Sequence, residues 1–228
     1  MTALMVLFLV AMAVALIAAT QKLEEKKQED VTEELRRLEY EQTIKSCVDD
    51  IREITKSPEF EGVTVGDRTI NFGTRSQFQR LSSALSAEQQ DTLRRFVPRI
   101  LDVARTPRCE RWFKRVVVEG FTSPTGTYLY NLNLSLNRAQ RVLCVLLDGK
   151  APDAPSEADR LLIRRLFLVG GSSFNSTKAS DEESRRVELR LEFKDLQEDS
   201  SSCVTGAGRC GEPSQPERPL DKDDVCQI

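Results

Sequence analysis

No histidine occurs among the 228 residues. That absence excludes a Ser-His-Asp triad, a Cys-His dyad, a His-ligated zinc and a His-ligated haem. A basic excess is lacking too. Lys and Arg number 33 against 36 Asp and Glu, a net charge of −3, whereas nucleic-acid binders carry surplus positive charge. No nucleic-acid partner is expected. The six cysteines follow no metal-ligand spacing, and no nucleophile–base constellation stands out among the many carboxylates. Neither an enzyme, nor a cofactor, nor a metal site is expected. With 39% hydrophobic and 30% charged residues, the bulk of the chain reads as one globular domain beside a first segment of different character.

That first segment lacks charge altogether up to Lys22. From Ala3 to Ala19 it reads ALMVLFLVAMAVALIAA, seventeen residues without a polar side chain. With its flanks it reaches the ~20 residues needed to cross a ~30 Å hydrocarbon core. A cleaved signal peptide is the rival reading. It would need a basic stretch before the apolar run, and none is present. Residues 1–21 are therefore read as an uncleaved transmembrane helix. The following flank, Gln21–Asp30, mixes three Lys with four acids, so flanking charge does not fix the orientation.

Gly and Pro are absent from Gln21 until Pro58. Apolar residues at Leu23, Val31, Leu35, Leu38, Ile44, Val48, Ile51 and Ile54 mark one helical stripe over residues 22–57. Such a stripe suits a partner helix, a stalk that dimerises the chain, or packing on the chain's own domain. Beyond it, Val63–Phe72 reads as a hairpin turning at Gly66-Asp67. A helix is expected near Ala87–Arg105, opened by a Ser86/Gln89 capping box. Arg115–Glu119 reads as a buried strand and residues 131–147 as an amphipathic helix ended by Asp148-Gly149. Leu161–Val169 is a third apolar segment, and Arg186–Phe193 alternates like a half-exposed strand. The fold class expected over 60–194 is α+β, a sandwich with helices on one face of a mixed sheet. Residues 195–228 hold eight acids and three bases with almost no apolar residue, the composition of a disordered acidic tail. Cys203, Cys210 and Cys226 lie in it, and an oxidising compartment would permit a bridge there. Cys47, Cys109 and Cys144 read as small apolar residues.

One stretch carries more. Glu119-Gly120-Phe121-Thr122-Ser123-Pro124-Thr125-Gly126 leads into Tyr130-Asn131-Leu132-Asn133-Leu134-Ser135-Leu136-Asn137-Arg138-Ala139-Gln140-Arg141-Val142. On a helix, Tyr130, Asn131, Leu134 and Arg138 share a face. An arginine there is either an ordinary surface charge or a fixed cation able to hold a carboxylate through two hydrogen bonds. Tyr130 and Leu134 could wall such a site, or Leu134 could be core.

These residues, with the later Ser184-Arg185-Arg186-Val187-Glu188-Leu189, resemble the signature of OmpA-like peptidoglycan-binding domains, which also occur in MotB subunits of flagellar stators. The resemblance implies an OmpA-like sandwich and a wall-binding site formed by Thr122, Ser123, Tyr130, Asn131, Leu134 and Arg138. There Arg138 would take a stem-peptide carboxylate. The family usually places Asp, in a Thr-Asp pair, where this chain has Ser123. A neutral hydroxyl cannot pair with the ammonium of diaminopimelate as that Asp would.

The opening run resembles the membrane segment of MotB-type subunits. Together with Trp112-Phe113-Lys114, Leu129-Tyr130-Asn131-Leu132 and Leu166–Asn175, it is similar to the MotB-like subunits of Zorya anti-phage systems. That similarity implies a homodimer in the bacterial inner membrane, single-pass, with its C-terminal domain periplasmic. It also implies a pentameric, polytopic MotA-like partner, an ion-driven motor and an anti-phage purpose. A static membrane-to-peptidoglycan tether and a flagellar-type stator are the alternatives. In such subunits an intramembrane Asp carries the ion. Its position would fall just before Met1, which implies a start assigned too late or a chain that does not conduct. Thr2 would then line the pore beside it.

Overall fold

The structure is a computed structural model describing residues 2–197, apart from the side chains of residues 2–4, 6 and 7. The pore-lining role expected of Thr2 concerns one of those side chains. The tail expected over 195–228 lies outside the described residues from 198 onward. The chain divides into two units, one through Gln42 and one from Thr43 onward.

Helix α1, Thr2–Ile54, forms the whole first unit. Its sequence is free of Gly and Pro and rich in Ala, Leu, Glu, Lys and Arg, the residues that lose least on becoming helical. Phe8, Leu9, Val10, Met12, Val14, Leu16 and Ile17 are all exposed, so the helix is apolar on every side here rather than along one stripe. Among the described residues no helix is long and apolar enough to cross a membrane. Farther along, Leu23, Val31, Leu35 and Leu38 are also exposed.

In the second unit the end of α1 changes role. Ile44, Cys47, Val48 and Ile51 are buried, a spacing of three, four and seven that turns one helical face into the domain core. A hairpin follows, β1 (Thr64–Val65) and β2 (Thr69–Asn71), closed by a Gly66 N–H to Thr69 C=O bond of 2.8 Å. Helix α2, Ala87–Ala104, opens on the expected box: Ser86 accepts from the Gln89 N–H while the Gln89 side chain accepts from the Ser86 N–H. Its buried residues Leu93, Phe96, Val97, Ile100, Leu101 and Ala104 form a single stripe. Phe96 meets the rings of Phe60 and Phe72 edge-on at 5.0 and 5.4 Å.

After the short α3, Pro107–Glu110, come β3 (Phe113–Gly120), α4 (Tyr128–Leu147), α5 (Glu157–Leu166), β4 (Phe167–Gly171), the one-turn α6 (Asp181–Ser184) and β5 (Val187–Phe193). The sheet order is β1-β2-β5-β3-β4, with β3 and β4 parallel and every other pair antiparallel. This is a mixed sheet in an α+β fold. Helix α4 packs over β3 and β4, and α2 packs on α4.

Three expectations change. The apolar segment Leu161–Val169 is split: its helix ends at Leu166, and Phe167–Gly171 pairs with Val116–Gly120. Strand β3 is buried on one side only, through Phe113, Val116, Val118 and Gly120. Lys114, Arg115, Val117 and Glu119 are half-exposed. The cysteines are not merely apolar. Cys47 and Cys109, 62 residues apart, form a disulfide joining α1 to α3, and Cys144 is disulfide-bonded as well. No local spacing signals the first bridge, because only the folded core brings the two helices together. Closing a loop of that length restricts the unfolded chain, so the Cys47→Ser, Cys109→Ser double variant is expected to lose about 4 kcal/mol of stability. Thermal melts of oxidised wild type and variant read this directly.

Candidate functional site

The signature residues gather where β3 ends and α4 begins. Thr127 caps α4, its hydroxyl accepting from the Tyr130 N–H at 3.4 Å. Asn131 is buried, and its side-chain amide donates to the carbonyls of Thr125 and Thr127, both at 3.0 Å. It therefore acts as a clamp on the loop between strand and helix rather than as a group facing outward. Gly126 lies in that loop at φ 102°, a conformation that favours glycine.

Two glycines let α4 sit directly on the sheet. Gly120 and Gly171 are register partners at the ends of β3 and β4. An alanine methyl at 120 would lie 1.9 Å from the Ser135 carbonyl oxygen, and one at 171 would lie 2.7 Å from the Ser135 hydroxyl. The close approach places the loop after β4 beside the helix. Ser173 donates its N–H to the Ser135 hydroxyl (3.0 Å) and its own hydroxyl to the Tyr128 carbonyl (3.1 Å). The Thr122 N–H donates to the Ser173 carbonyl at 2.8 Å.

Arg138 is 0% exposed. Its Nη1 donates to the Phe121 carbonyl (2.7 Å), Nε to that of Ser82 (3.0 Å) and Nη2 to that of Gln79 (3.3 Å). The guanidinium also lies 4.9 Å from the centroid of the Phe78 ring. Burial, reinforced by the charge of Arg185, lowers its pKa to about 10, so it stays cationic at neutral pH. Its donors are thus held by neutral oxygens, two of them from the segment ahead of α2. The Gln79 and Ser82 carbonyls cover the guanidinium from that segment, while three bonds use three of its five N–H groups. Beside it, Thr122 is 2% exposed and its hydroxyl oxygen has no hydrogen-bond partner among the described residues. Ser123 is also buried. Buried polar atoms are ordinarily satisfied, so the orphan Thr122 hydroxyl marks a place for an added polar group.

The two arginines of the closing motif brace the site. Arg185 donates to the Phe78 carbonyl at 3.0 Å, and the Phe78 N–H returns a bond to the Arg185 carbonyl at 2.7 Å. Arg186 lies over the Phe121 ring at 4.2 Å and pairs with Glu188 at 2.7 Å.

Of the six expected wall-binding residues, Thr122, Ser123, Asn131 and Arg138 are buried together, Leu134 is half-buried and Tyr130 is exposed. Sequence reasoning missed Phe78, Gln79 and Ser82, which cover Arg138, and Ser173, which ties the loop after β4 to the helix. The 77–85 segment has no periodicity to betray it. The serine repeat at 172–173 gives no sign of which residue bonds.

No family model matches the chain. It is 40% identical over 206 residues to the Zorya protein ZorB of Escherichia coli O139:H28 (strain E24377A / ETEC), covering 87% of this chain and 79% of that protein. Among solved structures, the OmpA-like domain of FopA1 from Francisella tularensis subsp. tularensis SCHU S4 aligns over 58% of this chain and 82% of its own. The TM-score is 0.38 and the identity 20%. The periplasmic domain of Helicobacter pylori MotB aligns over 62% of this chain and 87% of its own, with a TM-score of 0.43 and 21% identity.

Proposed function

The chain belongs to the ZorB family, and on that premise we propose that it is the wall-anchoring, MotB-like subunit of an ion-driven membrane motor used in anti-phage defence. In this reading the apolar run Ala3–Ala19 spans the inner membrane once. Residues from Lys22 pair with a second copy, the domain from Thr43 lies in the periplasm, and a polytopic MotA-like pentamer surrounds the membrane helices. The wall is gripped at the Thr122–Arg138 site.

The observation that carries wall binding is the pairing of a buried cation with an orphan hydroxyl. Among the described residues Arg138 bonds neutral oxygens, and the Thr122 hydroxyl has no partner. A stem-peptide carboxylate offers both of them an acceptor, and it makes stronger bonds to a guanidinium than a carbonyl does. Ser123 next to Thr122 leaves the site without an acid for the ligand's ammonium group. Ser123→Asp is accordingly expected to increase co-sedimentation of the detergent-solubilised chain with purified peptidoglycan sacculi by about tenfold, one added ion pair in a shielded site. If Ser123→Asp fails to raise binding, the site does not read that ammonium. If neither wild type nor variant sediments with the wall, wall anchoring is wrong for this chain.

A static membrane-to-wall tether is the second reading, and one observation favours it: the Thr122–Arg138 site is formed within this chain and needs no motor partner to grip the wall. Co-expression with a neighbouring MotA-like protein separates the two. Proton uptake into vesicles and phage protection, both requiring the pair, support the motor; wall binding without either supports the tether.

A further inference from the structure

In a chain of which 30% is charged, the eighteen residues Gly120–Asn137 carry no charged side chain, and neither do the twelve residues Leu166–Thr177. The fold brings the two stretches to the same end of the sheet. Gly120 pairs with Gly171, the Thr122 N–H bonds the Ser173 carbonyl, and the Ser173 hydroxyl bonds the Tyr128 carbonyl. The outcome is a neutral surface in which apolar rings stand among amides and hydroxyls. Tyr128, Leu129 and Tyr130 are 44%, 74% and 48% exposed in succession, a cluster of large apolar side chains at the surface that calls for a partner. Tyr128 is nevertheless held in place. Its ring meets Phe174 edge-on at 5.6 Å, and its hydroxyl accepts from the Asn175 side chain at 3.2 Å.

The geometry points to a glycan-stacking platform: Tyr128, Leu129 and Tyr130, framed by Phe174 and Asn175, bind the neutral amino-sugar backbone of the wall beside the stem-peptide site. This rests on the wall-binding reading and extends it from the peptide to the sugar chain. The neutrality of the surface decides between partners. A phosphate backbone or an anionic membrane surface draws on Lys and Arg, and neither stretch supplies one, the nearby Arg138 being fully buried. An N-acetylated sugar is uncharged, with an apolar face of C–H groups and a rim of hydroxyls and amides. The first stacks on aromatic rings that keep a polar edge in water, as tyrosine does. The second matches Asn and Thr groups of the kind that orient a ligand in an otherwise apolar site.

The test is a fluorescence-polarisation titration of the full chain in detergent against a labelled β-1,4-linked tetramer of N-acetylglucosamine, which has no peptide. Wild type is expected to bind, Tyr128→Ala to weaken binding about tenfold, and Tyr128→Phe to retain it, since the ring survives. Leu129 is 74% exposed, so Leu129→Glu is expected to leave the domain folded and to weaken binding as well. A wild type that ignores the tetramer, or equal binding by Tyr128→Ala and Leu129→Glu, overturns the platform. Sacculus sedimentation of the same samples separates the two readings. Wall binding without tetramer binding sinks the platform alone, whereas no wall binding sinks the platform together with the wall-anchoring reading, whatever the tetramer does.

Discussion

Gly120→Ala is expected to destabilise the domain by about 4 kcal/mol or more, enough to leave much of the chain unfolded at 37 °C. The methyl group would sit 1.9 Å from the Ser135 carbonyl oxygen and 2.8 Å from its carbon. Both are helix backbone, which cannot swing aside as a flexible side chain would. Relief requires lifting α4 off β3, and that breaks the close packing of the whole helix on the sheet. Gly171→Ala presses on the same turn of α4, against the Leu136 N–H and the Leu132 carbonyl at 2.8 and 2.9 Å, and is expected to behave alike. Thermal unfolding followed by circular dichroism measures both. A Gly120→Ala protein that melts within a few degrees of wild type would show that the helix does not rest on the strand as described.

The second large effect is expected at Arg138. Arg138→Met keeps most of the volume but withdraws donors from the carbonyls of Phe121, Ser82 and Gln79. Hydrogen bonds from a charged donor contribute about 1.5–3 kcal/mol each, and a buried acceptor left without a partner costs about 1–3 kcal/mol. Set against this, the variant no longer has to bury a charge, which is a saving of several kcal/mol. The balance comes to a loss of about 3 kcal/mol, smaller than the bonds alone imply. Arg138→Lys keeps the cost of burying a cation, yet one ammonium cannot match the three directions of a guanidinium. It is therefore expected to be no better than Met. Urea unfolding distinguishes the cases, and a Lys variant as stable as wild type would show that charge alone, rather than the three-way fork, holds the segment in place.

The fold was legible wherever one period of apolar residues governed a segment. Helix α2 and its capping box, the 63–72 hairpin and β5 all follow from spacing and turn residues, because each buries a single regular face. Strand β4 was not legible. Phe167-Leu168-Val169 continues the apolar run of α5 without a break, and what makes it a strand is its parallel pairing with Val116–Val118, far away in sequence. The disulfide between Cys47 and Cys109 was hidden for the same reason. Within the site, the motif residues were found, but their directions were not. A helical wheel sets Arg138 beside Tyr130. Only the covering segment, where Leu81 takes a left-handed φ of 57°, decides that the arginine is enclosed while the tyrosine is left in water.

The bridge between Cys47 and Cys109 bears on how a pull along α1 would be carried. Without it, tension on the helix would peel residues 43–54 from the core turn by turn, each turn giving way in sequence. A covalent link at Cys47, early in that stretch, halts such unzipping after about one helical turn and diverts the load through α3 into β3, which starts three residues after α3 ends. From there the strain is shared among the hydrogen bonds of β3 with both of its neighbours, loaded together rather than singly. A pull of this kind would therefore release a length of helix no longer than residues 43–47 before meeting a covalent stop and a strand bonded on both sides.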